Sequence, residues 1–499
     1  MNFRKAYGLE SVDAQTKKLF EQLSPKEYLK DVFMQDVDYS IGKFTDPDKS
    51  MELSLNLFST QFDKEIISER QTLIEDLANL FKDKKNEINT LHFISATKEL
   101  DDIVKGLNHG KKVDLRKLGP TYHYFVLSIQ NIIPLLQKKP GTQRFAKNLQ
   151  IISTNYSDVM SESKVFGEKG YILQVGHNEL QSLVNFQKEP IMKSKIMNYY
   201  RDDNVFIPSD EAEKVFKLFE QIKPIYDSLR IFYGFGSYVA KRERKGKPVC
   251  FPIINNDRIF EVYNGVPIAS SFDHDEKYVP FNENYTQEKN HFIYSGAHSG
   301  GKTHRLTTIG LYYWISLMGL PGPADKIIVP FINNLNASIV RQNVSDGQGK
   351  GSLESELQEI MNIAKSVGDD DLVLIDELFD TTKPEFTKYV SVPILQKFDN
   401  SKSAIHIVYH AARTICQEKT SFVFKYPELN TSLVDETILV RNPTYGYYEQ
   451  APTRRKIDYL YPTYNFLEGI PDGKIVQAHA KQKWKEIRDK HEESKLNKW

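Results

Sequence analysis

Apolar side chains recur at helical spacing along the first part of the chain, up to about residue 270. In the segment 62–88 they fall on one helical face, with charged side chains opposite, at Ile66, Leu73, Ile74, Leu77, Leu80 and Phe81. Similar amphipathic stretches run over 122–136, 178–186 and 210–238. A stripe of this period predicts helices that bury one face. We therefore expect a mainly α-helical domain over 1–247.

The pattern changes after Lys247 and Pro248. Short β-rich pieces follow, including 257–263, and alternating strand and helix patterns then run from Phe292 to about Val440. Such alternation predicts a parallel sheet covered by helices. A second domain of the α/β class is expected over 248–499, with a charged helix after Pro471 at its end.

A glycine-rich segment, SGAHSGGKTH at 295–304, lies between a strand pattern at 291–294 and an apolar helix pattern at 303–320. It fits the pattern G-x-x-x-x-G-K-[ST], in which glycines let backbone N–H groups curl around phosphate oxygens. The lysine neutralises outer phosphates, and the threonine hydroxyl is a ligand for Mg²⁺. The alternative is a glycine-rich bend between two elements. The predicted nucleotide-binding residues are Gly296, Ala297, His298, Ser299, Gly300, Gly301, Lys302, Thr303 and His304.

A second motif, which is acidic, lies 74 residues after Lys302 of the glycine loop. The apolar run 372–375 ends in Asp376 and Glu377. In a nucleotide site, Asp376 would serve Mg²⁺, and Glu377 would polarise the attacking water as a general base. Strands often exit into charged loops, so this pattern alone also fits a purely structural role.

Two further positions belong to the candidate site. His410 ends a third strand pattern, AIHIVYH, at the sheet edge where ligands bind in such folds. Ser352 begins a helix after a glycine-rich loop, which makes it an anion site at a helix N-terminus. The simpler alternatives are a histidine that caps a strand and glycines that serve loop flexibility.

Composition narrows the class of protein. The chain has 499 residues, 26% of them charged, with Lys+Arg and Asp+Glu both at 66. A net charge of zero supplies no overall field toward nucleic acid, so DNA contacts must come from local patches or a cavity between subunits. The two cysteines, Cys250 and Cys416, support neither a disulfide framework nor a zinc site. With no apolar run long enough for a bilayer and no signal-peptide pattern, a cytoplasmic protein without a membrane partner is expected.

Together these motifs resemble the ATPase domain of the MutS family of DNA mismatch-repair and related proteins. The glycine loop is similar to the family's TGPNMGGKST, LVLIDE to its LVLxDE, and YHA around His410 to its histidine loop. The segment 465–480 resembles the family's C-terminal motif, and the whole resemblance covers roughly 257–485. It implies an α/β P-loop NTPase of the ABC/MutS type, preceded by a mainly helical core and lever domain matched loosely by 67–77 and 229–242.

The resemblance also implies roles for particular residues and partners. Tyr278 falls where the family places an aromatic ring on adenine, with Val279 beside it. Ser352 would act across a homodimer in which each subunit completes the other's ATP site. ATP, Mg²⁺ and mismatched or branched DNA are the ligands implied, with ATP hydrolysis coupled to conformational change in DNA repair or recombination.

The chain departs from the family pattern in several places. After Glu377 the family's G-R-G-T-S becomes FDTTK at 379–383, and the signature-loop serine aligns with Gly351. We expect no separate N-terminal mismatch-recognition domain and a shortened or missing clamp, although the short pattern Phe-x-Glu occurs at 166–168, 281–283 and 466–468. A nucleotide-gated protein scaffold without DNA contact is therefore the alternative function. The basic run 241–247 is either a DNA patch or a solvated helix end.

Overall fold

The computed structural model describes residues 12–34, 47–108, 118–157, 160, 209–268, 280–286, 290–294, 301–339, 352–376, 378, 384–409, 422–427 and 447–448. The described part of the chain separates into two compact units. A helical unit takes Leu29–Leu57 and Ser68–Gly246, and an α/β unit takes Val12–Tyr28, Phe58–Ile67 and the chain from Lys247 onward. No helix within the described ranges is long and apolar enough to cross a membrane.

The described helices before residue 250 are α1 Ala14–Leu23, α2 Lys26–Met34, α3 Pro47–Ser54, α4 Lys64–Phe81, α5 Lys84–Asn108, α6 Leu118–Leu136, α7 Gln143–Asn155 and α8 Ser209–Arg244. Within the helical unit, apolar stripes meet in a buried core that includes Leu77, Phe81 and Phe93. In α8, a Cβ on Gly236 would lie 2.8 Å from the Cβ of Leu77, so the close approach of this helix requires glycine. The helical N-terminal region predicted from periodicity is confirmed.

The α/β unit contains three further described helices, α9 Lys302–Leu317, α10 Ser352–Ser366 and α11 Pro384–Asp399. Its strands are β1 Ile253–Asn255, β2 Phe260–Gly265, β3 Phe281–Tyr285, β4 His291–Tyr294, β5 Lys326–Pro330, β6 Asn334–Ser338, β7 Asp371–Ile375, β8 Ala404–Val408, β9 Val423–Pro427 and β10 Tyr447–Tyr448. They form a four-stranded sheet in the order β1-β5-β2-β3 and a six-stranded sheet in the order β10-β9-β4-β8-β7-β6.

The larger sheet is parallel from β9 to β6, and β10 joins β9 antiparallel. Every residue of β4, β7 and β8 is buried, as expected for strands covered on both faces, whose sequences read as continuous apolar runs. After β4 the chain crosses to β6 at one edge, works back through β7 to β8, and then passes beyond β4 to β9. The topological switch point therefore lies beside β4, where open α/β sheets bind ligands.

Two segments of the predicted helical domain, Val12–Tyr28 and Phe58–Ile67, pack within the α/β unit. The Tyr28 hydroxyl donates to the carbonyl of Pro321 at 2.5 Å, and the Trp314 indole donates to the carbonyl of Ser59 at 2.9 Å. The division into 1–247 and 248–499 stays a prediction about domains. By contacts, the α/β unit also includes these two earlier segments.

The strand predicted at 257–263 begins later than expected, at Phe260. The Asn255 side chain accepts from the amide of Asp257 at 2.8 Å and donates to the carbonyl of Ile259 at 2.8 Å. Arg258 has a φ of 52°. An asparagine that bonds to the backbone in this way holds a turn, which delays entry into the strand. Predictions at 178–186 and after Pro471 lie outside the described residues.

Candidate functional site

The carboxyl ends of four parallel strands meet at one edge of the larger sheet. Register brings Tyr294 of β4 beside Val408 of β8, and Ile375 of β7 beside Ile407 of β8 and Ser338 of β6. The glycine loop therefore leaves β4 at the edge where Asp376 leaves β7, with one strand between them. At the usual spacing of neighbouring strands, that separation is about 10 Å.

Helix α9 begins directly at the motif lysine. Gly301 at its N-cap has a φ of 70°, a left-handed conformation that glycine adopts without the penalty a Cβ would bring. Lys302 is the first residue of the helix and is 3% exposed. The unsatisfied N–H groups and positive dipole end of such a helix attract anions, and the buried ammonium adds a full positive charge.

A hydrogen bond joins the start of α9 to the end of β7. The Thr303 hydroxyl donates to a carboxylate oxygen of Asp376 at 3.1 Å, and Asp376 is 4% exposed. The amide of Asp376 donates to the carbonyl of Ser338 at 2.9 Å, which extends the strand ladder and fixes the position of the carboxylate. Two residues that are 73 positions apart in sequence thus lie side by side at the edge of the sheet.

These two side chains fit a magnesium site. Mg²⁺ prefers hard oxygen ligands and is commonly held by one or two protein oxygens, substrate phosphates and water. In P-loop enzymes, the loop Ser or Thr and an acidic strand-end residue hold it. Thr303 and Asp376 supply those oxygen types and contact each other. Thr303 also directly follows Lys302 in the sequence.

Several predicted site residues lie outside the described residues. They are Tyr278, Val279, Gly296, Ala297, His298, Ser299, Gly300, Glu377 and His410. The residue before His410 is described: the amide of Tyr409 donates to the carbonyl of Tyr294 at 3.0 Å. Ser352 is described as the first residue of α10. The roles of these residues stay predictions.

His304 follows Thr303 in the first turn of α9. Burial of this imidazole disfavours its charged form and lowers its pKa to about 4. The side chain is therefore neutral near pH 7. A neutral imidazole can donate or accept a hydrogen bond at this end of the helix without adding charge.

Sequence patterns missed a buried ion pair one turn into α9. The Arg305 guanidinium is paired with the carboxylate of Glu283 in β3, and their side chains are 3% and 1% exposed. Arg305 also donates to the carbonyl of Asn282 at 3.2 Å. Because Phe281 and Glu283 are buried in this sheet, the Phe-x-Glu match at 281–283 is not an exposed wedge.

A buried chain of hydroxyl and imidazole groups was also missed. The Tyr285 hydroxyl lies 2.8 Å from that of Tyr313 and 3.0 Å from Nε2 of His406, whose Nδ1 lies 2.8 Å from the Tyr294 hydroxyl. Burial raises the pKa of Tyr285 well above its usual value, so it remains protonated. These polar contacts link β3, β4, β8 and α9. A polar residue inside AIHIVYH was its only sequence signal.

A separate pocket of about 720 Å³ lies beside β6, away from these groups. The pocket is lined by Gln15, Lys18, Leu19, Gln22, Leu335, Asn336, Ala337, Gln358, Glu359, Asn362, Ile363 and Ser366. Lys18 and Glu359 form an ion pair across it at 2.7 Å. None of the predicted site residues contributes to its wall.

The basic run 241–247 has arginines engaged in internal contacts. Arg242, 6% exposed, lies 3.5 Å from the carboxylate of Asp31, and Arg244 lies 3.4 Å from that of Glu87. Arg244 also donates to the carbonyl of Phe81 at 3.0 Å. Two of the cations in the run are thus part of the packing of the helical unit, which favours a structural role over a DNA patch.

Fold and site together define a mixed α/β protein with a helical N-terminal region and a parallel sheet compatible with a P-loop domain. No protein-family model matches the chain. It is 26% identical over 303 residues to Endonuclease MutS2 of Clostridium beijerinckii, covering 59% of this chain and 37% of the relative. It is 27% identical over 236 residues to Endonuclease MutS2 of Lactobacillus johnsonii, covering 46% and 26%.

Endonuclease MutS2 of Thermotoga petrophila is a third relative, 26% identical over 208 residues, with coverage of 42% of this chain and 24% of the relative. These similarities identify the chain as MutS-like. The alignments span between 24% and 37% of the relatives' own length.

Proposed function

We propose that this protein is a MutS-like ATPase that binds ATP with Mg²⁺ at the carboxyl edge of its parallel sheet and acts on DNA. The observation that carries the proposal is the 3.1 Å hydrogen bond between Thr303 and Asp376. Two motifs separated by 73 residues meet there in the chemical combination that a phosphate-bound magnesium requires. The MutS2 relatives support the same class.

Residues at the start of α9 would bind the triphosphate. The Lys302 ammonium would neutralise the outer phosphates, while N–H groups of the first turn would donate hydrogen bonds to phosphate oxygens. Thr303 and Asp376 would hold the magnesium, with Asp376 acting directly or through a coordinated water. The remaining loop residues, 296–300, would line the phosphates as the motif predicts.

Hydrolysis would use the residues that follow β7 and β8. Glu377 succeeds Asp376 at the sheet edge and would take a proton from the attacking water as general base. His410 succeeds Tyr409 at the end of β8, the strand between β4 and β7, and would orient that water or contact the γ-phosphate. Lys302 would offset charge that develops on the transferred phosphoryl group.

The nucleoside and the second subunit complete the proposal. Tyr278 would stack on adenine with Val279 beside it, just before β3. Ser352 at the start of α10 would contact the nucleotide of the other subunit in a homodimer. ATP-driven changes in that dimer would then be transmitted to the helical unit, which would bind mismatched or branched DNA during repair or recombination.

A nucleotide-gated scaffold for another protein is the second candidate. It is favoured by the internal pairing of Arg242 and Arg244, because those cations do not present a simple phosphate-binding patch. A gel shift over a range of salt concentrations separates the two functions. DNA binding through phosphate contacts falls steeply with salt, whereas a scaffold gives no shift with duplex, mismatched or branched DNA.

ATP turnover with and without that DNA panel tests the main proposal. We expect stimulation by at least one DNA structure, and Thr303→Ala and Asp376→Asn should each abolish the Mg²⁺-dependent part of ATP binding. Because the two side chains act as one unit, the double variant should be no worse than either single variant. Mg²⁺-dependent binding that survives in both single variants would contradict the assignment.

A further inference from the structure

Strand β3 carries a carboxylate where its pattern calls for an apolar residue. Burial alternates along the strand, so Phe281, Glu283 and Tyr285 face inward while Asn282 and Asn284 are exposed. The Glu283 side chain is 1% exposed. An isolated carboxylate at such a position is costly, so a strong compensating partner is required.

Arg305 of α9 is that partner, and it holds the strand in three ways. Its guanidinium pairs with the Glu283 carboxylate, donates to the Asn282 carbonyl at 3.2 Å, and lies over the ring of Phe281 at 5.2 Å from the ring centre. Arginine suits this task because its rigid planar fork can engage several partners at once and can stack on an aromatic face. Three consecutive residues of β3 are thus fixed to a single side chain.

The same turn of α9 is bonded to both sheets. Thr303 contacts Asp376 at the end of β7 in the larger sheet, and Arg305, two residues later, contacts Glu283 of β3 in the smaller sheet. Lys302, proposed above to bind the triphosphate, begins this turn. The contacts of Arg305 therefore set the distance between β3 and the start of α9, where the phosphates are proposed to bind.

Replacing a buried ion pair with apolar side chains is often neutral for stability, so such a pair is weak support for stability alone. The buried pair of Glu283 and Arg305 is better explained by the fixed position that it gives β3 against α9. The residues proposed to contact the nucleoside end two positions before β3, and two residues of chain reach about 7 Å at most. The position of β3 against α9 therefore limits where that segment can lie.

The geometry points to Arg305 and Glu283 as positioning residues that align the nucleoside-binding segment with the phosphate-binding start of α9. This inference rests on the proposed function and extends it. Neither side chain is among those proposed above to bind the phosphates. We expect the two residues to affect only the part of the ATP affinity that comes from the nucleoside. That part can be measured by comparing ATP with inorganic tripolyphosphate, which has no nucleoside.

The experiment compares dissociation constants for ATP and for tripolyphosphate, both with Mg²⁺, by titration calorimetry on the full chain. The double variant Glu283→Met with Arg305→Met removes the pair without leaving a single buried charge. Glu283→Gln keeps the shape if the double variant does not fold, and Arg305→Lys keeps the charge without the fork. Glu261→Gln is the control, because it removes the exposed pair with Lys326 in the same sheet.

We expect the double variant to lose about tenfold in affinity for ATP and to keep its affinity for tripolyphosphate, with Arg305→Lys intermediate and the control unchanged. A tenfold loss corresponds to about 1.4 kcal/mol. Equal losses for both ligands, or no loss for either, would overturn the inference while leaving the proposed function intact. Failure of the unmodified protein to bind either ligand would overturn both.

Discussion

The helical and α/β units each contain an ion pair that joins elements distant in sequence, and the two pairs differ in burial. In the helical unit, Glu87 and Arg244 have side chains 10% and 40% exposed. In the α/β unit, Glu283 and Arg305 are 1% and 3% exposed. A half-exposed pair costs little desolvation and contributes little, whereas a buried pair costs much more and depends on accurate geometry.

The two ion pairs also differ in the elements that they join. Glu87 accepts from Ser237 at 2.6 Å and from Arg244, contacts that hold α5 to α8 within the helical unit. Glu283, Arg305, Thr303 and Asp376 converge instead on the first turn of α9. The buried pair of Glu283 and Arg305 therefore lies at the candidate site, while the pair of Glu87 and Arg244 serves helix packing.

The largest effect is expected for Glu377→Gln. Loss of a general base typically slows a reaction by about 10²- to 10⁴-fold, and the amide preserves the size of the side chain. Single-turnover ATP hydrolysis should therefore fall within that range, while calorimetry should give an unchanged ATP affinity. Unaltered turnover would remove Glu377 from the proposed mechanism.

A smaller loss, in binding, is expected for Lys302→Ala. A charge-assisted hydrogen bond contributes about 1.5–3 kcal/mol, which corresponds to roughly 10- to 100-fold in affinity for ATP. Lys326→Ala is the matched control, since that lysine is 47% exposed and pairs with Glu261 away from the start of α9. Calorimetric titration with ATP should show the loss only in the first variant, and equal losses would indicate a general effect of charge.

The chain pattern was most informative where an element is defined by its own residues. Continuous apolar runs predicted β4 and β7, and helical periodicity predicted α4, α6 and α8, all of which are confirmed. The alternation of these patterns also indicated a parallel sheet, which is confirmed. Roles assigned to the glycine loop, Glu377 and His410 stay predictions.

Features that depend on tertiary contact were not accessible in this way. Glu283 and Arg305 are 22 positions apart and read separately as an ordinary exposed glutamate and a helix arginine. His406 lies in an otherwise apolar strand. Its contacts with the hydroxyls of Tyr285 and Tyr294 depend on how the strands pack, which the sequence pattern does not show. Periodicity likewise predicts that a segment is helical without indicating which unit it packs against, as for α1.

A pH effect on the free energy of unfolding is expected from His304. Its folded pKa, about 4, lies below the ordinary value of 6.5, so the unfolded chain binds more protons between these values. The free energy of unfolding should therefore rise as pH increases from about 4 to 6.5, then level off. Chemical denaturation across this range should give a shallower rise for His304→Gln. The remaining slope would include His291, whose pKa is also lowered by burial.

An unchanged pH profile in the His304→Gln variant would mean that the imidazole gains protons as easily in the folded protein as in the unfolded chain. The start of α9 would then be open enough to solvate a cation. That outcome would remove one of the contrasts between the start of α9 and the pair of Glu87 and Arg244 in the helical unit.

The smallest effect is expected in the helical unit, from Glu87→Gln. The glutamine keeps the size of the side chain and a hydrogen bond with Ser237 but loses the charge that attracts Arg244, so the free energy of unfolding should fall by about 1 kcal/mol. Glu243→Gln, which removes the more exposed pair with Lys82, is the control and should cost less. Urea denaturation measures both, and ATP affinity should be unchanged in each. A loss of ATP affinity in Glu87→Gln alone would show that this pair is coupled to the nucleotide site, so burial would no longer separate the charges that serve packing from those that serve the site.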